Sequence, residues 1–137
     1  MNAGQTSNGI RILAAPRGVD ETLNRLEALA KSRGLIVFAR IDFAKDAAAA
    51  ALELRPTQLL ILGNPAAGTP LMAAAPGAAL DLPLKVLAWQ DSADRSWVSF
   101  NTPEYLQQRH GFPAVLIANI AGLEKLVQAA LGASDRA

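Results

Sequence analysis

The chain reads as a small α+β domain, a two-layer sandwich with helices on one face of a largely antiparallel sheet. Three observations predict this class. The 137 residues amount to one domain's worth of chain. Short apolar runs such as Leu35 to Ile41 and Thr57 to Leu62 have strand length and β-branched content. Leucine-bearing segments at helical spacing follow the first strand and close the chain.

Taken in order, Ile10 to Ala14 forms a first strand, stopped by the turn residues Pro16 and Gly18. A helix follows, with Asp20 as its cap, Leu23, Leu26, Leu29 and Ala30 on its apolar stripe, and Gly34 as its end. Leu35 to Ile41 is apolar on both faces, the pattern of a strand inside a sheet rather than at a solvated edge. The alanine-rich Ala44 to Leu54 favours a short helix closed before Pro56. Thr57 to Leu62 is another doubly apolar strand, ending at Gly63-Asn64-Pro65.

Between Ala66 and Ala79, Pro70 and Pro76 leave room only for a short helical stretch after Pro70. Leu82 to Gln90 is a strand with the alternating sets Leu84, Val86, Ala88 and Lys85, Leu87, Trp89. Asp91 to Asp94 makes a hairpin loop, and Ser96 to Phe100 is the return strand. Pro103 starts a short helix through Gln108, Gly111 and Pro113 break it, and Asn119 caps a last helix bearing Leu123, Leu126, Val127, Ala130 and Leu131. The order is strand, helix, four strands with short helical inserts, and helix. A single domain over residues 9–133 is expected, with flexible tails at 1–8 and 134–137.

Composition narrows function. A net charge of +1 from 13 basic and 12 acidic residues spread along the chain gives no region suited to gripping a phosphate backbone, so no nucleic acid partner is expected. The absence of cysteine excludes disulfides, thiolate nucleophiles and iron–sulfur clusters. With His110 as the only histidine, a His-rich metal site within one subunit is excluded, and no metal or cofactor is expected. Met1 to Gly9 lacks the basic start and apolar stretch of a signal peptide, and no apolar run reaches the ~20 residues that span a bilayer, so a soluble cytoplasmic protein without a membrane partner is expected. At 51% apolar, with strands apolar on both faces, the chain has surface to share with a second copy.

Ile41-Asp42, Leu54-Arg55-Pro56-Thr57, Gly63 to Met72 and Asp81-Leu82-Pro83-Leu84-Lys85 carry a resemblance that continues through Phe100, Pro103, Tyr105, Leu106 and Arg109. Over roughly Val19 to Gly111 the sequence resembles the family catalogued as domain of unknown function 302. The resemblance implies a fold like that of the TATA-binding protein, and it implies dimers; it does not imply DNA binding, because fold does not fix function. The family commonly has His where Phe43 stands, so a role for that imidazole does not carry over.

Gly63 to Thr69 has the glycine spacing of a phosphate loop but lacks the lysine such a loop needs, since Thr69 stands in its place. Its bland reading is a loop tied down by Asn64 and Thr69; its functional one is a nest for a small polar or anionic ligand. Asp81 and Lys85 flank a strand entrance, where an Asp42 or Asp81 partner for Lys85 gives either a structural ion pair or an acid/base site. His110 beside a helix end complements the helix dipole, and Trp89 and Trp97 on adjacent strands fill a core or interface. The candidate ligand-binding set is Asp42, Asn64, Gly68, Thr69, Asp81, Lys85 and Arg109. Three readings remain open: a homodimer binding a small molecule at the Gly63 to Met72 loop, a purely structural dimer module, and an acid/base enzyme using an Asp/Lys pair.

Overall fold

The computed structural model describes residues 6–132. Strands β1 (Thr6–Ser7), β2 (Ile10–Ala15), β3 (Ile36–Asp42), β4 (Thr57–Gly63), β5 (Leu84–Gln90) and β6 (Ser96–Asn101) form one sheet in the order β1-β2-β6-β5-β4-β3, every pair antiparallel. Helices α1 (Val19–Ser32) and α5 (Leu123–Ala130) cover one face. The shorter α2 (Phe43–Ala49), α3 (Pro65–Ala74) and α4 (Pro103–His110) lie in the connections, with 3-10 turns at Pro76–Leu80 and Ala114–Asn119. The expected α+β class and the order of elements therefore stand.

Period decides which side chains meet. On α1, Val19, Leu23, Leu26 and Ala30 are buried, and they meet Leu126, Val127 and Ala130 of α5 over Leu60, Leu62, Val86, Ala88 and Val98 of the sheet. Each such buried Leu or Val contributes about 1.5–3 kcal/mol relative to leaving it exposed. Leu60 and Leu62 alternate with Leu59 and Ile61, which point to the opposite, helix-free face and are only half-buried.

Several local expectations are corrected. β3 is an edge strand, not an interior one, and a bulge between Val37 and Ala39 leaves Ile36 45% and Phe38 49% exposed. Helix α2 stops at Ala49, short of Leu54, because Ala51 adopts φ +61. Helix α3 starts at Pro65 and runs through Pro70; the N–H that Pro70 lacks would have bonded the carbonyl of Ala66, an exposed residue whose oxygen water can serve. Asp20 lies inside the first turn of α1, whose cap is Gly18, and Asn119 does not cap α5, whose cap is Gly122. Thr6–Ser7 pairs with β2 through Asn8 and Gly9, both at positive φ, as a two-residue Asn-Gly hairpin turn demands. The expectations for residues 1–5 and 133–137 lie outside the described residues.

A second, smaller core sits beside the first. Leu71 of α3, Ala78, Leu106 of α4, Phe112 and Ile120 bury one another, so the connections pack together at one end of the sheet. Gly111, at φ +74, ends α4 in the left-handed conformation that turns the chain into Phe112.

Candidate functional site

Between the end of α1, the β3–β4 edge, α3 and the start of α5 lies a cavity of about 400 Å³. Its walls are mostly apolar: Leu35 and Phe38 from the β3 side, Leu62 from β4, Met72 from α3, Leu84 from β5 and Leu126 from α5. Four polar side chains join them, Arg33, Asn64, Thr69 and Asn119, and no acidic residue lines the cavity. A few polar groups set in a largely apolar wall is the usual make-up of a small-molecule pocket, and the volume lies within the ~300–1,000 Å³ common for such sites.

The α3 wall is built by local rules. The Asn64 side chain caps the helix by accepting the N–H of Ala66 at 3.0 Å, and Pro65 sits in the first helical turn, where its missing N–H costs nothing. The Asn119 amide donates to the carbonyl of Ala67 at 3.0 Å and so ties the Ala114–Asn119 turn to α3. A side chain at Gly68 would meet nothing within 4 Å, so this glycine leaves the wall open rather than serving a tight turn. Leu71, on the same helix, turns away into the second core. The segment Gly63 to Thr69 is thus a strand end and a helix start, not a phosphate loop.

Of the residues singled out from sequence, Asn64, Gly68 and Thr69 line this cavity, and Asp42, Asp81, Lys85 and Arg109 do not. Asp42 pairs in register with Gln58, six residues along β4 from Asn64, or about 20 Å at strand rise. It accepts the N–H of Lys45 at 2.9 Å as the cap of α2. Lys85 stands opposite Ile61 on the helix-free face and directs its ammonium to the carbonyl of Pro83 at 3.5 Å. Asp81 pairs instead with His110, at 2.6 Å, and Arg109, at 3.2 Å. No Asp/Lys pair forms at Lys85 among the described residues, which removes the geometry that the acid/base reading required.

Sequence reasoning missed two clusters. The first is the Asp81–His110 contact at the margin of the second core, beside Leu71, Leu106 and Phe112; its partners are 29 residues apart and no local spacing signals it. The second centres on Arg40. Its guanidinium donates to Gln58 Oε1 at 2.9 Å, Asn24 Oδ1 at 2.7 Å, Glu27 Oε1 at 3.3 Å and Asp20 Oδ1 at 3.1 Å. Gln58 in turn donates to Asp20 at 3.1 Å and Asp42 at 3.4 Å. Glu27 is held below the ordinary carboxylate range, first by its hydrogen bond from Lys31 and then by that from Arg40, against the opposing effect of burial. Polar residues on a core-facing strand, Arg40 and Gln58, were the available signal. The arrangement joins α1 to β3 and β4 and has no opening to the cavity.

Residues 12–130 match the family described as "Domain of unknown function DUF302". In fold, the chain is similar to the "uncharacterized conserved protein DUF302 from Bacillus stearothermophilus", with a TM-score of 0.74 and 21% identity over 91% of this chain and 97% of that one. In sequence, it is similar to two proteins named "Fluoride-specific ion channel FluC 1". One is from Brucella suis biovar 1 (strain 1330), 43% identical over 103 residues, which is 75% of this chain and 41% of the relative. The other is from Brucella abortus biovar 1 (strain 9-941), with the same identity over 75% of this chain and 38% of the relative. The chain thus spans about two fifths of the length of these relatives. Among the described residues, no helix is long and apolar enough to cross a membrane.

Proposed function

Because the chain belongs to the domain of unknown function 302 family, whose description names no activity, we propose a function from its cavity: the protein binds a small molecule between α3, α5 and the β3–β4 edge. The observation that carries this reading is the 400 Å³ space itself, walled by Asn64, Gly68, Thr69 and Met72 of the family-like segment. An apolar pocket of this size with a few polar groups in its wall has the make-up common to small-molecule sites, which supports the reading. The test is a thermal-shift screen of small amphiphilic compounds, with Gly68→Leu as the control, since its side chain would occupy the open wall. A ligand at about 100 times its Kd adds about 2.7 kcal/mol and raises the Tm of the parent protein, but not of the variant. Equal shifts in both proteins would place binding elsewhere.

A second copy of the chain is proposed as the protein's partner. The helix-free face of the sheet presents Ala39, Ile41, Leu59, Ile61, Leu87 and Trp89 half-buried, a largely apolar surface, interrupted by Lys85, of the kind that oligomers cover. The β3 bulge opposes strand addition at the edge, which favours face-to-face packing of two sheets. Light scattering is expected to give twice the chain mass, and Leu59→Lys with Leu87→Lys to give a monomer. A monomeric parent protein at micromolar concentration refutes the assembly.

The fluoride-channel names of the Brucella relatives support a second functional reading, in which the domain works beside a fluoride-specific ion channel. Cells lacking the protein would then grow less well in millimolar fluoride, and unchanged fluoride tolerance would exclude that role.

A further inference from the structure

The cavity has one charged residue in its lining, and it is a cation. Arg33, at the C-cap of α1, is exposed at the rim, and its guanidinium has no hydrogen bond or ion pair with any described residue. This sets it apart from its neighbours: Lys31 is spent on Glu27 at 2.9 Å and Arg40 on Asp20 and Glu27. Below the rim the wall is apolar, through Leu35, Phe38, Leu62, Leu84 and Leu126. The remaining polar groups cannot supply a negative partner: Asn64 and Asn119 are engaged in capping and tying α3, and no carboxylate lines the space.

Resting on the reading that the cavity binds a small molecule, we propose that its ligand is a carboxylate carried on a single short apolar chain or ring, with Arg33 pairing the carboxylate at the rim. The guanidinium fork matches a carboxylate in two parallel hydrogen bonds and discriminates against a neutral or cationic head of the same shape. The apolar body enters the space between α3 and α5, where it removes hydrocarbon from water without displacing any paired polar group. A volume of about 400 Å³ accommodates one such chain. Because Arg33 is exposed, the cation contributes selectivity between heads more than total affinity, and the preference weakens as salt rises.

Calorimetric titration of the purified protein with octanoate, octanol and octylamine, each kept monomeric, tests the assignment. The expected result is octanoate binding about two- to fivefold tighter than octanol at low salt, octylamine weakest, and Arg33→Ala binding octanoate and octanol alike. Arg33→Lys should restore part of the preference, because a point charge without the fork remains. Gly68→Leu should weaken all three. Equal binding of octanoate and octanol by the parent protein would overturn the carboxylate assignment and leave the cavity reading standing. Binding of any of them that is indifferent to Gly68→Leu, or no binding at all, would overturn both.

Discussion

Replacing Arg40 with Met should destabilise the domain by about 3 kcal/mol, and the magnitude comes from Gln58 more than from the ion pairs. Met keeps an apolar stem over the sheet but removes every donor. Asp20, whose side chain is 76% exposed, loses a partner that water replaces, so that contact contributes little. Glu27 is 25% exposed against 22% for Arg40, and this pair contributes about 0.5–1 kcal/mol. Gln58 is only 7% exposed, and Arg40 is the donor recorded on its Oε1, so the substitution leaves a buried acceptor without a partner at a cost of about 1–3 kcal/mol.

For a domain of this length, about 3 kcal/mol corresponds to a fall of about 10 °C in Tm. Urea unfolding of the two single variants and of Arg40→Met/Gln58→Leu isolates the term. Removing both partners also removes the orphaned acceptor, so the double variant should be more stable than the summed single costs imply, by about 1–2 kcal/mol. Added salt should change the Arg40→Met cost little, since the dominant loss involves no second charge. Additivity within about 0.5 kcal/mol, or a single-variant cost below that value, would refute the reasoning.

Acid should reveal the Glu27 contribution. Its carboxyl is held below the ordinary value of 4.5, mainly by Lys31 and then Arg40, so the stabilisation is present above that value and is lost as pH falls through the lower folded pKa. The stability gap between the parent protein and Glu27→Gln should therefore be constant near neutrality and close on acidification, and a gap that widens in acid would contradict the sign. Asp91 is likewise held low, first by the Trp97 indole N–H at 2.8 Å and then by the backbone N–H of Arg95. Asp91→Ala should loosen the β5–β6 hairpin and shift tryptophan emission to the red, because Trp97 stacks on Trp89 at 6.3 Å between ring centroids; unchanged emission would mean that the hairpin holds its rings without the carboxylate. His110→Ala leaves Asp81 with Arg109 alone and opens space in the second core, so it should cost about 1–3 kcal/mol while sparing ligand affinity, since His110 is not part of the cavity wall. A loss of binding without a loss of stability would place it in the site.

The elements read well from sequence are those in which one face decides the period. Leu23, Leu26 and Ala30 could serve only a helix stripe, and Leu60 and Leu62 only one face of a strand, so α1 and β4 were legible. β3 was misplaced because an apolar edge strand on an open sheet face carries the same residues as an interior strand: Ile36 and Phe38 are apolar whether neighbours or solvent meet them. Pro70 misled in the other direction, since the cost of a proline in a helix depends on whether water can reach the carbonyl it deprives of a donor. Half of the candidate site was visible, as Asn64, Gly68 and Thr69 share one continuous segment. The other wall was not, because Arg33, Phe38 and Leu126 reach the cavity only through the packing of α1, β3 and α5.

The charged residues of the family-like segments divide differently from what their chemistry suggested. Asp42 caps α2 and braces Gln58, while Asp81 joins the end of the Pro76–Leu80 turn to Arg109 and His110 of α4. Neither faces the cavity, yet the second core borders it: Leu82 and Ile120 line both the cavity and the small space beside His110. Helix α3 presents Gly68, Thr69 and Met72 to the cavity and buries Leu71 in the second core, so packing on one side sets the position of the wall on the other. The groups that line the cavity have little chemistry of their own, an open glycine, an apolar wall and a single arginine, which supports the binding role proposed for it.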